Sequence, residues 1–182
     1  MEETLADVLA GGPEKVIFCE HAPVFTAGSS AEAGEVLNPG DIPVLTTGRG
    51  GKTTYHGPGQ RVVYLVVRLE DRDIRAYIKR LQMWMVAVLA DLGVKGEITD
   101  DVGVWVGEAK IAAIGVRVRK WVAYHGVALN VAPDLGAYAR IRPCGLDKPV
   151  TSLAALGVVA DMEAVDALLV KHAGLLLPPQ SL

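Results

Sequence analysis

An α+β fold is predicted by three observations. Apolar runs of strand length crowd the middle of the chain, helical periodicities fall in separate blocks, and the strict alternation of strand and helix that builds a parallel sheet is missing. Over 182 residues this predicts one domain, 1–182, with a mixed sheet and packed helices and enough chain to bury a real core.

The elements follow in order. Leu5, Leu9 and the alanines between them read as the tail of a helix that Gly11-Gly12-Pro13 stops. Val16 to Glu20 and Val24 to Thr26 are short apolar strands, and Ser29 to Gly40, with Gly, Asn and Pro, is a loop. Pro43 to Thr47 leads into a glycine-rich segment. Val62 to Leu69 is apolar on both faces, the pattern of a central strand buried on two sides. Ile74, Ile78, Leu81, Met85, Val88 and Leu92 then recur at steps of three and four, with Asp71 or Asp73 to cap and Gly93 to stop, which predicts a helix. Val102 to Val106, Lys110 to Val118 and Trp121 to Val131 are three successive strands joined by turns at Gly107-Glu108 and Arg119-Lys120, an antiparallel meander. Asp161 to Leu176 closes the chain as a helix whose stripe is Val165, Leu169, His172 and Leu176.

Composition excludes several classes of function. Hydrophobic residues make up 51%, yet charges are dispersed and no run reaches the ~18–20 apolar residues of a membrane span. No basic stretch followed by an apolar one opens the chain, so a cytoplasmic protein is expected. A net charge of −3 argues against nucleic-acid binding, which needs a dominant basic face. Cys19 and Cys144 are too few and too far apart for a disulfide framework, and no His, Cys, Asp and Glu spacing suggests a metal.

The densest chemistry lies in Arg49-Gly50-Gly51-Lys52-Thr53-Thr54-Tyr55-His56-Gly57-Pro58-Gly59-Gln60. It is not a phosphate-binding P-loop: Thr46 stands where that motif needs its first glycine, and the following Gly57-Pro58-Gly59 excludes the required helix. Glycines alone make a tight turn. The clustered Arg49, Lys52, Tyr55 and His56 make the segment a candidate binding loop. Of the two cysteines, Cys19 ends the apolar run Val16-Ile17-Phe18 and reads as an inert core residue. Cys144 sits between Pro143 and Gly145 with Arg140 and Arg142 upstream, where cations favour thiolate over thiol. A lone loop cysteine is also commonly structural. Lys110 opens a strand in phase with Ala112, Ile114, Val116 and Val118; it is either a strand-end lysine snorkelling to water or a partly desolvated amine able to hold a thiolate. His125 fits a hydrogen-bonded core histidine, and His172 a structural one.

These residues resemble a known family. The segment Arg49 to Gln60, Gly103-Val104-Trp105-Val106, Lys110-Ile111 with Ile114-Gly115-Val116-Arg117, His125 to Asn130 and Pro143-Cys144-Gly145 stand in the order seen in the octanoyltransferases of lipoate biosynthesis. Glu20 to Thr26 resembles that family's early strand motif, and the resemblance runs from about residue 16 to about residue 155. It implies the fold of the lipoate and biotin protein ligases. It implies transfer of an octanoyl or lipoyl group from acyl carrier protein to a lysine of apo lipoyl domains, those of 2-oxoacid dehydrogenase complexes and the glycine cleavage H protein, with no cofactor. By resemblance, Cys144 forms the acyl thioester and Lys110 lowers its pKa. Arg49, Gly50, Gly51, Lys52, Thr53, Thr54, Tyr55 and His56, with Ala113, Ile114, Gly115, Gly126, Val127 and Ala128, contact the acyl substrate. Two departures stand out: the chain is short at its start for that family, and Asp101-Val102 replaces the usual Ala-Pro. Two alternatives remain, an ATP-dependent lipoate-protein ligase, which needs no nucleophilic cysteine, and a non-catalytic acyl-binding module.

Overall fold

Residues 1–142 and 148–176 are described in the computed structural model. Helix α1 (Glu2–Leu9) precedes β1 (Lys15–Cys19), β2 (Val24–Ala27), β3 (Val44–Thr46), β4 (Thr54–His56) and β5 (Gln60–Arg68). Helix α2 (Ile74–Asp91) follows, then β6 (Val104–Val106), β7 (Ala109–Arg119), β8 (Val122–Asn130) and α3 (Met162–Lys171). The strands make a five-stranded antiparallel sheet ordered β1-β5-β8-β7-β6 and a smaller sheet ordered β3-β2-β4, in which β2 runs parallel to β3 and antiparallel to β4. This is the expected α+β class with the expected β6-β7-β8 meander.

Period-two alternation gives the large sheet two apolar faces. Val63 and Leu65 of β5, Val127 and Leu129 of β8 and Ala112 of β7 face α2 and α3, packing with Leu81, Trp84, Met85, Val88, Leu89, Val165 and Leu169 into the main core. Leu81, Met85 and Val88 of the predicted α2 stripe are buried, whereas Ile74 is exposed and Tyr77, Trp84 and Leu89 join the buried face instead. Asp73 caps the helix, its carboxylate accepting from the Ala76 N–H at 2.9 Å. Trp84 Nε1 donates to the Leu169 carbonyl at 2.9 Å and so ties α2 to the end of α3. On the other face, Leu5 and Val8 of α1 cover Val66, Val122 and Tyr124, while the rest of that face lies beneath the small sheet.

Three boundaries differ from the sequence reading. The β7–β8 turn centres on Lys120 and Trp121, both left-handed (φ 49° and 62°), so Trp121 belongs to the turn and not to the strand. Strand β4 was not anticipated: it spans three residues bounded by glycines, too short to show a period. The last helix stops at Lys171 and continues as a 3₁₀ turn over Ala173–Leu176, because His172 leaves the helical stripe to bond Asp91 Oδ2 at 2.8 Å.

The loop between β2 and β3 is held to the glycine-rich segment by a buried carboxylate. Glu35 Oε2 accepts the Thr53 N–H at 2.8 Å, and the Glu35 carbonyl accepts the Arg142 N–H at 2.8 Å. Burial works to raise the pKa of this carboxyl, but the hydrogen bonds from Thr53, the Glu32 backbone bond and the Lys52 ammonium outweigh it, leaving it below its ordinary value. A depressed folded pKa means that the stabilisation is complete above the unfolded value near ~4.3 and is lost as pH falls through the lower folded value. Glu35→Ala should therefore cost about 1–3 kcal/mol in urea unfolding at neutral pH, by stranding the Thr53 N–H. The gap to wild type should close in acid; a gap independent of pH would remove the carboxylate from this role.

Candidate active site

The two sheets do not touch everywhere; between them lies a cavity of about 570 Å³. Its floor is two rows of the large sheet. One row is Cys19, Val62, Ala128 and Ala113, and the next is Ile17, Tyr64, Gly126 and Gly115, each side by side across β1, β5, β8 and β7. Its roof is Val24 and Thr26 of β2, Leu45 of β3, Thr54 and His56 of β4, and the loop from Thr47 to Lys52. Ala113, Gly115, Gly126 and Ala128 make the β7–β8 half of the floor flat. A Cβ on Gly126 would lie 2.1 Å from the Val63 carbonyl oxygen, so only glycine permits this approach of β8 to β5.

The roof loop is fixed from both sides. Arg49 reaches β2, its Nη2 donating to Thr26 Oγ1 at 2.8 Å and to the Thr26 carbonyl, while Nη1 meets the Gly50 carbonyl at 3.0 Å. Gly50 N–H donates to Val116 O of β7 at 3.2 Å, and Gly51 takes a φ of 86° that returns the chain toward β4. Arg49 thus braces the loop across the cavity mouth.

All the substrate-contact candidates line this cavity except Thr53 and Tyr55. Alternation in and around β4 explains the exceptions: Thr54 and His56 face the cavity, whereas Tyr55 packs with Phe25 and Tyr138, and Thr53 is buried against Glu35. The structure adds residues that the sequence reading set aside. Cys19 is not in the core but in the cavity wall, with Sγ 3.7 Å from His21 Nε2, and His21 Nε2 lies 2.7 Å from the Tyr64 hydroxyl. Desolvation pushes the Cys19 thiol up, which leaves it a poor nucleophile. The alternation of β1 could have placed Cys19 on this face; His21 and Tyr64 carried no sequence signal that they would meet.

His125 is the larger correction. Alternation with Val127 and Leu129 places it in the core, but its backbone is left-handed at φ 67° and carries the ring to the cavity side. There it stacks on Tyr124 at 5.0 Å and meets the edge of Tyr64 at 6.3 Å. Its Nε2 is buried and has no hydrogen-bond partner among the described residues. Burial, aided by Arg49, pushes its pKa down to about 4, so the ring is neutral at pH 7.

Lys110 is not among the residues that line the cavity; it lies at the start of β7, three positions before Ala113 of the floor, and is 8% exposed. Its Nζ donates to the Val102 carbonyl at 3.0 Å and stands 4.8 Å from the centre of the Trp105 ring, so the ammonium is drawn inward. Lys110 N–H donates to Pro149 O and its carbonyl accepts from Thr151 N–H, which lays residues 149–151 alongside β7. Cys144 falls outside the described residues. Its flanks do not: Arg142 is bonded to Glu35, and Thr151 to Lys110. Among the described residues no group of three or more His, Cys, Asp or Glu side chains is arranged to hold a metal ion.

Comparison with known proteins completes the site. The family model for the lipoyl protein ligase A/B catalytic domain matches residues 1–174. The chain belongs to that family. It is 50% identical over 186 residues to the octanoyltransferase of Acidiphilium cryptum, covering 94% of this chain and 82% of that protein. Octanoyl transfer in protein lipoylation is the activity that this identity carries, and the chain is an acyltransferase. The bipartite lipoate protein ligase of Thermoplasma acidophilum superposes with a TM-score of 0.76 at 19% identity, over 96% of this chain and 77% of that one. The biotin protein ligase of Aquifex aeolicus gives 0.58 at 16% identity, over 84% and 68%. These two show a shared fold.

The strained His125 is open to a direct check in this lipoyl ligase A/B family member. In an ordinary strand Gly is less stable than Ala, but a φ of 67° inverts that order. His125→Gly should be more stable than His125→Ala by about 1 kcal/mol in urea unfolding. The usual strand order, Ala above Gly, would show that the left-handed backbone is not present in solution.

Proposed function

We propose that this acyltransferase carries the octanoyl or lipoyl group as a thioester on Cys144, taking it from acyl carrier protein and passing it to a lysine of apo lipoyl domains. The observation that supports this reading best is the apolar cavity bounded by the glycine-rich loop, with Lys110 buried at the start of β7, the strand that supplies Ala113 and Gly115 to its floor. The Cys144 thiolate attacks the thioester carbonyl and expels the carrier thiol, an exchange of like bonds that asks for orientation more than force. Lys110 favours the thiolate by its charge. In the second step the substrate lysine, as a neutral amine, attacks the acyl carbon. The C–N bond forms, the C–S bond breaks, and the proton that the amine loses reaches the departing Cys144 sulfur through Lys110.

The cavity suits a medium acyl chain. From the row of Gln60 and Asn130 to that of Tyr64 and Gly126 is four residues, about 13 Å at ~3.3 Å per residue. An extended eight-carbon chain built of ~1.5 Å bonds spans about 9 Å. Each methylene buried there contributes about 0.8 kcal/mol. Protein is the acceptor in lipoylation, and 2-oxoacid dehydrogenase complexes and the glycine cleavage H protein supply the lysines in this reading. Carrier docking fits Arg140, Arg142 and Lys148, which flank Cys144 in the sequence, better than the β7–β8 turn. Arg119 and Lys120 lie about 30 Å along β7 from Lys110, at ~3.3 Å per residue.

Intact mass after incubation with octanoyl-carrier protein, without ATP, decides the matter. Wild type and Cys19→Ser should gain one octanoyl group and Cys144→Ser none. Lys110→Met should stay folded, alkylate at Cys144 only at higher pH, and lose most acylation, because the charge is gone while the stem remains. A requirement for ATP would make the chain a ligase; binding of the acyl group with neither adduct nor transfer would make it an acyl-binding module. Superimposable alkylation profiles would take Lys110 out of the chemistry.

A further inference from the structure

From Thr151, which pairs with the Lys110 backbone, a row of buried side-chain amides runs to His56 in the cavity wall, and its orientation fixes a histidine tautomer. Asn130 Nδ2 donates to the Thr151 carbonyl at 2.9 Å, which turns Oδ1 toward Gln60. Gln60 Nε2 donates to that Oδ1 at 2.8 Å and approaches the Tyr55 carbonyl at 3.4 Å. Inverting the Gln60 amide would set Oε1 against two oxygens. Oε1 therefore faces His56 Nδ1, 2.5 Å away, and since an amide oxygen only accepts, Nδ1 carries the proton.

The ring cannot easily gain a second proton. Burial holds the His56 pKa down to about 4; the Gln60 hydrogen bond works the other way, and the charges of Arg49 and His21 add to the depression. His56 is thus a neutral imidazole whose Nε2 is a bare lone pair. The ring lines the cavity, and Nε2 has no partner among the described residues.

A group that only accepts hydrogen bonds is useless to an oxyanion and useful to an N–H. The two steps of the reaction differ in this respect. In the first, sulfur attacks and sulfur leaves, so no N–H stands at the acyl carbon. In the second, the attacking atom is an amine nitrogen. We propose that His56 is a catalytic residue of the second step alone: its Nε2 accepts a hydrogen bond from the N–H that the amide product retains, aiming the nitrogen lone pair at the acyl carbon. Gln60 and Asn130 are positioning residues that keep Nε2 bare. The other amine proton still goes to the Cys144 sulfur, and His56 begins and ends neutral. This rests on the two-step reading above.

The half-reactions separate the claims. Octanoyl-enzyme formation is followed by intact mass, and discharge of isolated octanoyl-enzyme by apo lipoyl domain is followed in a single turnover. In His56→Phe and Gln60→Met, discharge should fall by about 100-fold, the cost of a misaimed nucleophile, and by at least about tenfold more than formation does. Imidazole ¹⁵N shifts of the wild type, which need no variant, should show His56 protonated at Nδ1 and bare at Nε2 across neutral pH. Gln60→Met should move the proton toward Nε2. Equal losses in both half-reactions, discharge at the wild-type rate, or a wild-type ring protonated at Nε2 would each overturn the role of His56. A wild type that never forms octanoyl-enzyme would instead overturn the thioester reading itself.

Discussion

The buried amide pair of Gln60 and Asn130 joins, by side-chain hydrogen bonds, parts of the molecule that the backbone ladders only pair strand by strand. Through Gln60 it reaches His56 and the Tyr55 carbonyl of β4, through Asn130 the segment that flanks Lys110, and through both the Tyr138 hydroxyl. Each amide is almost fully buried, so each hydrogen bond left unmade would cost the desolvation of its group. The large sheet would fold without them. The amides add a side-chain tie between β4 of the small sheet, the large sheet and the segment that pairs with Lys110.

Around this anchor the walls divide the work. One face of the large sheet is filled by α2 and α3 and supplies stability. The other is only partly covered by α1 and keeps open a space whose floor residues are small. Three of its polar groups are neutral at pH 7: desolvation depresses both His56 and His125 to about 4 and raises the Tyr64 hydroxyl to about 12. The cations of its lining are committed elsewhere, Arg49 to bracing the roof loop and Lys52 to Glu32, while Lys110 is held by the Val102 carbonyl and the Trp105 ring.

The fold shared with lipoate and biotin protein ligases, at 16–19% identity, says little about which reaction is run. What separates the chemistries physically is where the acyl group is activated. A ligase activates a free acid with ATP, whereas a group that arrives as a thioester needs only a thiol to receive it and an amine to remove it.

The sequence alone determined the elements whose side chains repeat. The α2 stripe, the two-faced β5 strand and the meander were legible because a period of 3.6 or 2 is written in order along the chain. The glycine-rich segment and Lys110 were legible as chemistry through the family motif. The tertiary structure decided what has no local period. Strand β4 is too short to show one, His125 breaks one with a left-handed backbone, and Thr53 and Tyr55 proved to face away from the cavity because neighbouring strand residues point to opposite sides. Cys19, read as core, lies in the cavity wall because the small sheet leaves that part of the floor open. The meeting of Gln60, Asn130 and His56 depends on strands 70 residues apart coming into register. No local rule encodes that distance; only the burial of both sheets brings it about.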